Sequence, residues 1–165
     1  MALLRSIATA VPDHRITQAE VLDVLAKARG AALPARLAQI LGNSGIDQRY
    51  LACEPDYYLE PRSWTGRAEI YDEVGTRLAH RAAGDALDKA GLAPAVIDAI
   101  VLISTTGTMT PSIPSRMIEA MGFDPSTQTI PVFGYGCAGS VLGLRLANDL
   151  AAANGGQNIL LVSLE

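Results

Sequence analysis

The chain is poor in the residues around which many sites are built. Its 165 residues include two cysteines, two histidines and one tryptophan, and aromatic residues make up 5%. Cys53 and Cys137 form no metal-ligand spacing, and free thiols of this kind fit a reducing, cytoplasmic setting. There is no basic run: 13 Lys and Arg face 17 Asp and Glu, giving a net charge of −4, so nucleic acid is excluded as an expected partner. No apolar stretch reaches the ~20 residues needed to span a bilayer. Residues 1–5 lack the basic-then-apolar layout of a secretory leader. There is no short-period repeat and no low-complexity tract. What the chain does have is apolar residues, at 49%, with a mean hydropathy of +0.22, high for a soluble domain. That excess points to a covered partner surface or to a further piece of the same fold.

One stretch organises the rest, Val132-Phe133-Gly134-Tyr135-Gly136-Cys137-Ala138-Gly139-Ser140. Ile130, Val132 and Phe133 suit the end of a strand. Gly134 and Gly136 permit backbone angles that a side chain forbids. From Ala138 the pattern is helical, with Val141, Leu142, Leu146 and Leu150 at three- and four-residue spacing, Arg145 and Asp149 one turn apart, and a stop at Asn154-Gly155-Gly156. This puts Cys137 at a helix N-terminus, where free N–H groups and the helix dipole favour an anion. The thiolate is the nucleophilic form of cysteine. A sharp strand-to-helix turn is how a nucleophile elbow presents its side chain, although that motif usually carries serine. A buried, inert cysteine is the alternative. Cys53, in a polar loop beside Glu54, Pro55 and Asp56, gives little reason to expect a role.

Taken in order, Leu3–Ala10 reads as a first strand, ended by Val11-Pro12-Asp13. Thr17 and Glu20 form a capping box for a helix that reaches Arg29 and ends at Gly30. A second helix covers Pro34–Leu41. Gly45–Tyr50 reads as an ordered loop or short extended segment, and Glu54–Gly66 as a loop. One long helix is predicted from Ala68 to Ala90, stopped by Gly91. Ala99–Ser104 is a short continuous apolar run that suits a central parallel strand. A loop at Thr105–Pro111, a helix at Pro114–Met121 and a strand at Thr129–Phe133 follow. After the Cys137 helix comes a last strand, Asn158–Leu164. Strands alternating with helices make the class α/β with a mainly parallel sheet. Ligands gather at the carboxyl ends of such strands, so the Thr105–Pro111 loop and the Gly134–Gly139 turn are expected to face one pocket. The last strand has no closing cap, and so apolar an edge needs pairing or cover.

The Gly-Tyr-Gly-Cys-Ala-Gly-Ser-Val-Leu-Gly-Leu-Arg-Leu-Ala stretch at 134–147 resembles the active-cysteine segment of type III polyketide synthases, the chalcone-synthase-like enzymes. Ile46–Tyr50, Leu102–Gly107, Thr110–Ser112 and Ile159–Ser163 match that family in the same order, and the Thr-Pro-Ser loop is closer to the bacterial branch than to the plant one. The resemblance covers nearly the whole chain and implies a thiolase-like fold. Residues 1–165 would be its N-terminal domain, incomplete at the C-terminal end. It also implies a mechanism. Cys137 would accept an acyl group from an acyl-CoA starter, and malonyl-CoA would be decarboxylated to a carbanion that attacks the thioester. Coenzyme A thioesters are then substrates, no further cofactor is implied, and the family works as a homodimer. Thr106 and Gly107 match pocket-lining positions, and Met109 and Thr110 match the loop that reaches the other subunit. Arg36 lies where plant members bind coenzyme A phosphates, although Gln39 and Asn43 here are neutral.

Two departures bear on activity. The family pairs its cysteine with a downstream His and Asn, and this sequence corresponds to the part before them. His14 and His80 match neither position, and surface or structural roles are expected for them. The family's plant members also carry a phenylalanine where Ala138 stands. The expected function is therefore the nucleophile-bearing part of an acyltransferase, close to inactive in isolation. A ketoacyl-carrier-protein synthase III fragment is a second possibility, and a basic patch for an acidic carrier protein would favour it. A non-catalytic half-domain that pairs with another chain through its sheet edge is the third.

Overall fold

The computed structural model describes residues 2–153 and 155–165. Its contacts group into two compact units: Val11–Ile70, and residues 2–10 together with Tyr71–Glu165.

The smaller unit is built on one antiparallel strand pair. Strand β1 (His14–Thr17) pairs with β2 (Gln48–Leu51), which realises the short extended segment expected near Tyr50. Helix α1 (Gln18–Arg29) starts where the capping box places it. Glu20 N–H donates to Thr17 Oγ1, and Thr17 N–H donates to the Glu20 carboxylate at 2.7 Å. The Thr17 hydroxyl also donates to that carboxylate at 2.6 Å, and this bond, then the one from Thr17 N–H, holds the Glu20 carboxyl below its ordinary range. Helix α2 (Ala35–Gly42) follows. The expected loop at 54–66 instead contains a 3-10 turn (Pro55–Leu59) and the start of α3 (Trp64–Ile70), with the Arg62 guanidinium 4.6 Å from the Tyr57 ring centre.

The larger unit is a three-stranded parallel sheet in the order β4 (Gln128–Phe133), β3 (Ala99–Ser104), β5 (Ile159–Leu164). Every residue of β3 is buried, as its unbroken apolar run predicts. Helix α6 (Gly139–Ala153) covers one face of the sheet. Helices α4 (Thr76–Ala90) and α5 (Ile113–Met121) cover the other, through Leu78, Ala79, Ala83 and Leu87 of α4 and Ile113, Pro114 and Met117 of α5. The expected helix stop at 154–156 includes Asn154, outside the described residues.

Two expectations are corrected. The residues predicted as one helix from Ala68 to Ala90 are interrupted by a π-helical turn at Tyr71–Gly75. This turn diverts Tyr71 to a hydrogen bond with Ser104 at the end of β3, a tertiary contact that helical periodicity cannot foresee. The strand predicted at Leu3–Ala10 is also absent: among the described residues no strand pairs with it. Ser6 Oγ donates to Ala86 O, and Lys89 Nζ donates to Ile7 O, while Leu3, Leu4 and Ile7 stay exposed.

The sheet and α6 approach closely because Gly139 and Gly143 lack side chains. A Cβ on Gly139 would lie 2.5 Å from Ile103 Cγ2, and one on Gly143 would lie 2.8 Å from both Ile103 and Leu161. Gly139→Ala is therefore expected to destabilise the protein by about 1–3 kcal/mol, read as a lower urea midpoint, because Ile103 is almost fully buried.

Candidate active site

Cys137 sits where the sequence puts it, at the carboxyl end of the parallel sheet on the turn that joins β4 to α6. Residues Gly136–Ala138 form a 3-10 turn, and α6 begins at Gly139, one residue later than the pattern predicts. Gly134 (φ 89°) and Gly136 (φ 54°) both adopt left-handed backbone, which lets the chain reverse at once after Phe133. The turn is tied to the neighbouring strand. Gly136 N–H donates to Thr105 Oγ1 at 3.0 Å, and Thr105 N–H donates to the Glu165 carboxylate at 3.2 Å. Ser140 on the first turn of α6 and Ser163 on β5 share a hydrogen bond of 2.7 Å. The Cys137 residue is exposed, and Cys53 is half-buried. Around the turn, Phe133, Tyr135, Val141 and Leu144 are each more than half exposed.

The Thr105–Pro111 loop does lie beside the Cys137 turn, as the Gly136–Thr105 bond shows. The cavity of about 250 Å³ next to it is bounded differently. Its walls are Tyr71, Ser104, Gly107, Met109, Ile113 and Phe133, with neighbours on β4 and the loop, and Cys137 is not among them. Gly107 is fitted against the Tyr71 ring so tightly that a Cβ there would fall 2.2 Å from Tyr71 Cγ. Burial pushes the Tyr71 phenol above its ordinary value, against the opposing hydrogen bond to Ser104, and the Glu165 charge pushes it the same way.

Of the other residues singled out from the sequence, Gly107 and Met109 line this cavity, whereas Thr106 and Thr110 are exposed on its loop. The Thr110–Pro111 bond is cis. Arg36 is exposed on α2 in the smaller unit. His14 pairs with Glu54 at 3.1 Å in the same unit. His80 sits mid-way along α4. Burial, then the nearby Arg116 charge, holds its imidazole below the usual value, and its Nε2 is buried without a hydrogen-bond partner. The Arg116 guanidinium pairs with Asp72 at 2.6 Å. Among the described residues, no group of three or more His, Cys, Asp and Glu is placed to hold a metal ion, and no helix is long and apolar enough to cross a membrane. Sequence reasoning missed Tyr71, Ser104 and Phe133 as a cavity wall. The only local signal was an aromatic residue between Ile70 and Val74 in an otherwise aliphatic helical stripe.

The family model described as chalcone and stilbene synthases, N-terminal domain, matches residues 1–165. The chain belongs to that family. It is 34% identical over 167 residues to a 1,3,6,8-tetrahydroxynaphthalene synthase of Streptomyces griseus, covering 100% of this chain and 45% of that one. It is 28% identical to a phloroglucinol synthase of Pseudomonas fluorescens, covering 93% and 44%. Among solved structures, the 1,3,6,8-tetrahydroxynaphthalene synthase of Streptomyces coelicolor A3(2), a bacterial type III polyketide synthase, superposes with a TM-score of 0.90 at 29% identity, covering 98% of this chain and 47% of that one. The enzyme PKS-I of the brown alga Ectocarpus siliculosus superposes with a TM-score of 0.85 at 28% identity, covering 99% and 47%. The thiolase-like α/β fold expected from the motifs is the fold of these neighbours. The chain spans about half the length of the relatives it matches.

Two measurements check the turn. Brief treatment of the native protein with iodoacetamide, followed by peptide mass analysis, is expected to label Cys137 about tenfold faster than Cys53. Thr105→Val removes the acceptor for Gly136 N–H and is expected to cost about 1 kcal/mol in urea unfolding.

Proposed function

We propose that this chain is the nucleophile-bearing part of a type III polyketide synthase, with Cys137 as the acyl-accepting residue. The observation that carries this reading is the placement of the Cys137 residue, exposed on a glycine-shaped turn at the carboxyl ends of the parallel strands and immediately before α6. The Cys137 thiolate attacks the carbonyl of an acyl-CoA, a carbon–sulfur bond forms, and coenzyme A leaves as its thiolate. Malonyl-CoA then loses carbon dioxide, and the resulting carbanion attacks the cysteine thioester. That step makes a carbon–carbon bond and returns the Cys137 thiolate. The substrates themselves are coenzyme A thioesters, so this chemistry calls for no further cofactor. The cavity beside Gly107 and Met109 is a candidate for part of the acyl pocket, and Thr106 precedes Gly107 on the same loop. Met109 and Thr110 are candidates for a homodimer contact, and Arg36 for a contact with coenzyme A phosphates. His14 is engaged with Glu54 and His80 sits within α4, so neither is assigned as the base. A His and Asn from polypeptide beyond the matched half would complete the site, and this chain alone would turn over slowly or not at all.

The exposed apolar residues around the turn favour a second reading, a half-domain whose role is to pair with another chain. One experiment separates the two. The protein is incubated with a panel of acyl-CoA starters and its intact mass measured beside Cys137→Ala. An acyl adduct on the parent chain and none on the variant is the expected result. A folded sample that forms no adduct, alone or with a complementary half, would sink the acyltransferase reading and leave the pairing role.

A further inference from the structure

Away from the Cys137 turn, four polar side chains gather where α4, α5 and the π turn come together. Asp72 lies on the π turn, Thr76 and His80 follow it at four-residue spacing, and Arg116 comes from α5. The Arg116 guanidinium pairs with Asp72 Oδ1 at 2.6 Å, and Thr76 Oγ1 donates to the same oxygen at 3.4 Å. Arg116 also reaches Met109 Sδ at 4.0 Å. One guanidinium thus fastens three parts of the chain: α5, which carries it, the π turn, and the loop that holds Met109.

His80 is the member without a bond to the others. Its Nε2 is buried and has no hydrogen-bond partner. A neutral ring with a bare Nε2 loses one hydrogen bond there. A protonated ring puts an N–H donor and a positive charge in the same place, with no acceptor in reach and the Arg116 cation nearby. The elements packed on α4 offer little to offset that charge. β5 has no ionisable residue. On the π turn Tyr71 is bonded to Ser104, Asp72 is engaged by Arg116, and Glu73 is exposed. Besides Arg116, α5 carries only Glu119, which is exposed, and residues 2–10 carry only Arg5, also exposed. On α4 itself the nearest charged residues are two further cations, Arg77 and Arg81, with Asp85 beyond them.

We propose that His80 is an acid-sensitive latch on the contact between α4 and α5: protonation at Nε2 sets a second cation beside Arg116, weakens the hold of Arg116 on the π turn and the Met109 loop, and loosens that loop. The proton comes from solvent, one N–H bond forms, and no other covalent bond changes. The sign follows from what the fold prefers. Burial, then the Arg116 charge, holds the folded imidazole below its ordinary value of 6.5, so the folded chain binds fewer protons than the unfolded one. The stability contributed by neutral His80 is complete above that ordinary value and is lost as pH falls through it toward the lower, folded one. The latch acts on the loop that supplies Met109 to the cavity wall, and it does not rest on the Cys137 chemistry.

The chain has two histidines, so NMR follows each ring separately, with His14→Gln and His80→Gln giving the assignment. The His80 ring is expected to titrate below the ordinary imidazole value in the parent chain, and its midpoint is expected to rise in Arg116→Gln. The parent's urea midpoint is expected to fall between about pH 7.5 and about pH 5.5, and to fall less in His80→Gln. Amide exchange over residues 105–112, corrected for its intrinsic pH dependence, is expected to speed up at least about threefold across that interval in the parent and not in His80→Gln. Only the pH dependence is compared, so a uniform loss of stability in the variant does not enter. If His80→Gln does not fold, the parent's loop exchange and the His80 titration with and without Arg116 decide the matter. The same pH dependence in the parent and in His80→Gln overturns the proposal. So does a His80 ring that titrates alike with and without Arg116, or acid loosening that leaves residues 105–112 unchanged.

Discussion

The approach of α6 to β3 is the constraint on which the larger unit depends. Ile103 lies near the carboxyl end of a fully buried strand, and its side chain occupies the space where Gly139 and Gly143 would carry theirs. Glycine inside a helix costs about 1 kcal/mol relative to alanine through lost chain entropy. Two glycines on one face are tolerated because they let the helix axis come in against the sheet. That depth sets where α6 begins and hence where the preceding turn must end. The chain leaves β4 at Phe133 and has five residues, 134–138, in which to reverse and meet Gly139. Left-handed Gly134 and Gly136 make so short a reversal possible, and Cys137 is left on the outside of it. The position of the thiol thus follows from packing that lies underneath it.

Much of this was legible in the sequence, and the reasons are local. The capping box needs only Thr17 and Glu20 at the right spacing, and α1 starts where they put it. An apolar run of six residues, Ala99–Ser104, is too short for a helix and became the central strand. The Gly-rich turn around Cys137 carried both the geometry and the family resemblance. What escaped the reading depends on groups brought together from distant parts of the chain. The cavity wall joins Tyr71 from a π turn, Ser104 from the end of β3, Met109 from a loop and Phe133 from β4. No periodicity links them. Thr105 gave no sign that its hydroxyl would hold the Cys137 turn. Leu3–Ala10 failed as a strand for a related reason. Period-two patterning records which side of a segment is buried, whereas a strand also needs a neighbour's backbone.

The surplus of apolar residues first seen as a mean hydropathy of +0.22 has a definite location. In the larger unit it lies in residues 3–7 and around the Cys137 turn, at Phe133, Tyr135, Val141 and Leu144. The core holds the buried share, in β3 and the inward faces of α4 and α5, while Val96 and, in the smaller unit, Ile40 and Trp64 are exposed as well. Apolar side chains left in water forgo roughly 25 cal/mol for each Å² that burial would remove from solvent. The apolar cluster beside Cys137 is one place where cover would stabilise the fold.

Cover of that kind bears on the chemistry as well as on the fold. A cysteine thioester in contact with bulk water can be lost to hydrolysis before a carbanion reaches it, and a carbanion meets a proton sooner in water than in an apolar surround. An apolar lid over Phe133, Tyr135, Val141 and Leu144 would exclude that water from the space above Cys137. The Ser140–Ser163 hydrogen bond ties the start of α6 to β5. Tyr135, Val141 and Leu144, exposed around Cys137, stand on the turn and helix whose packing against Ile103 positions it.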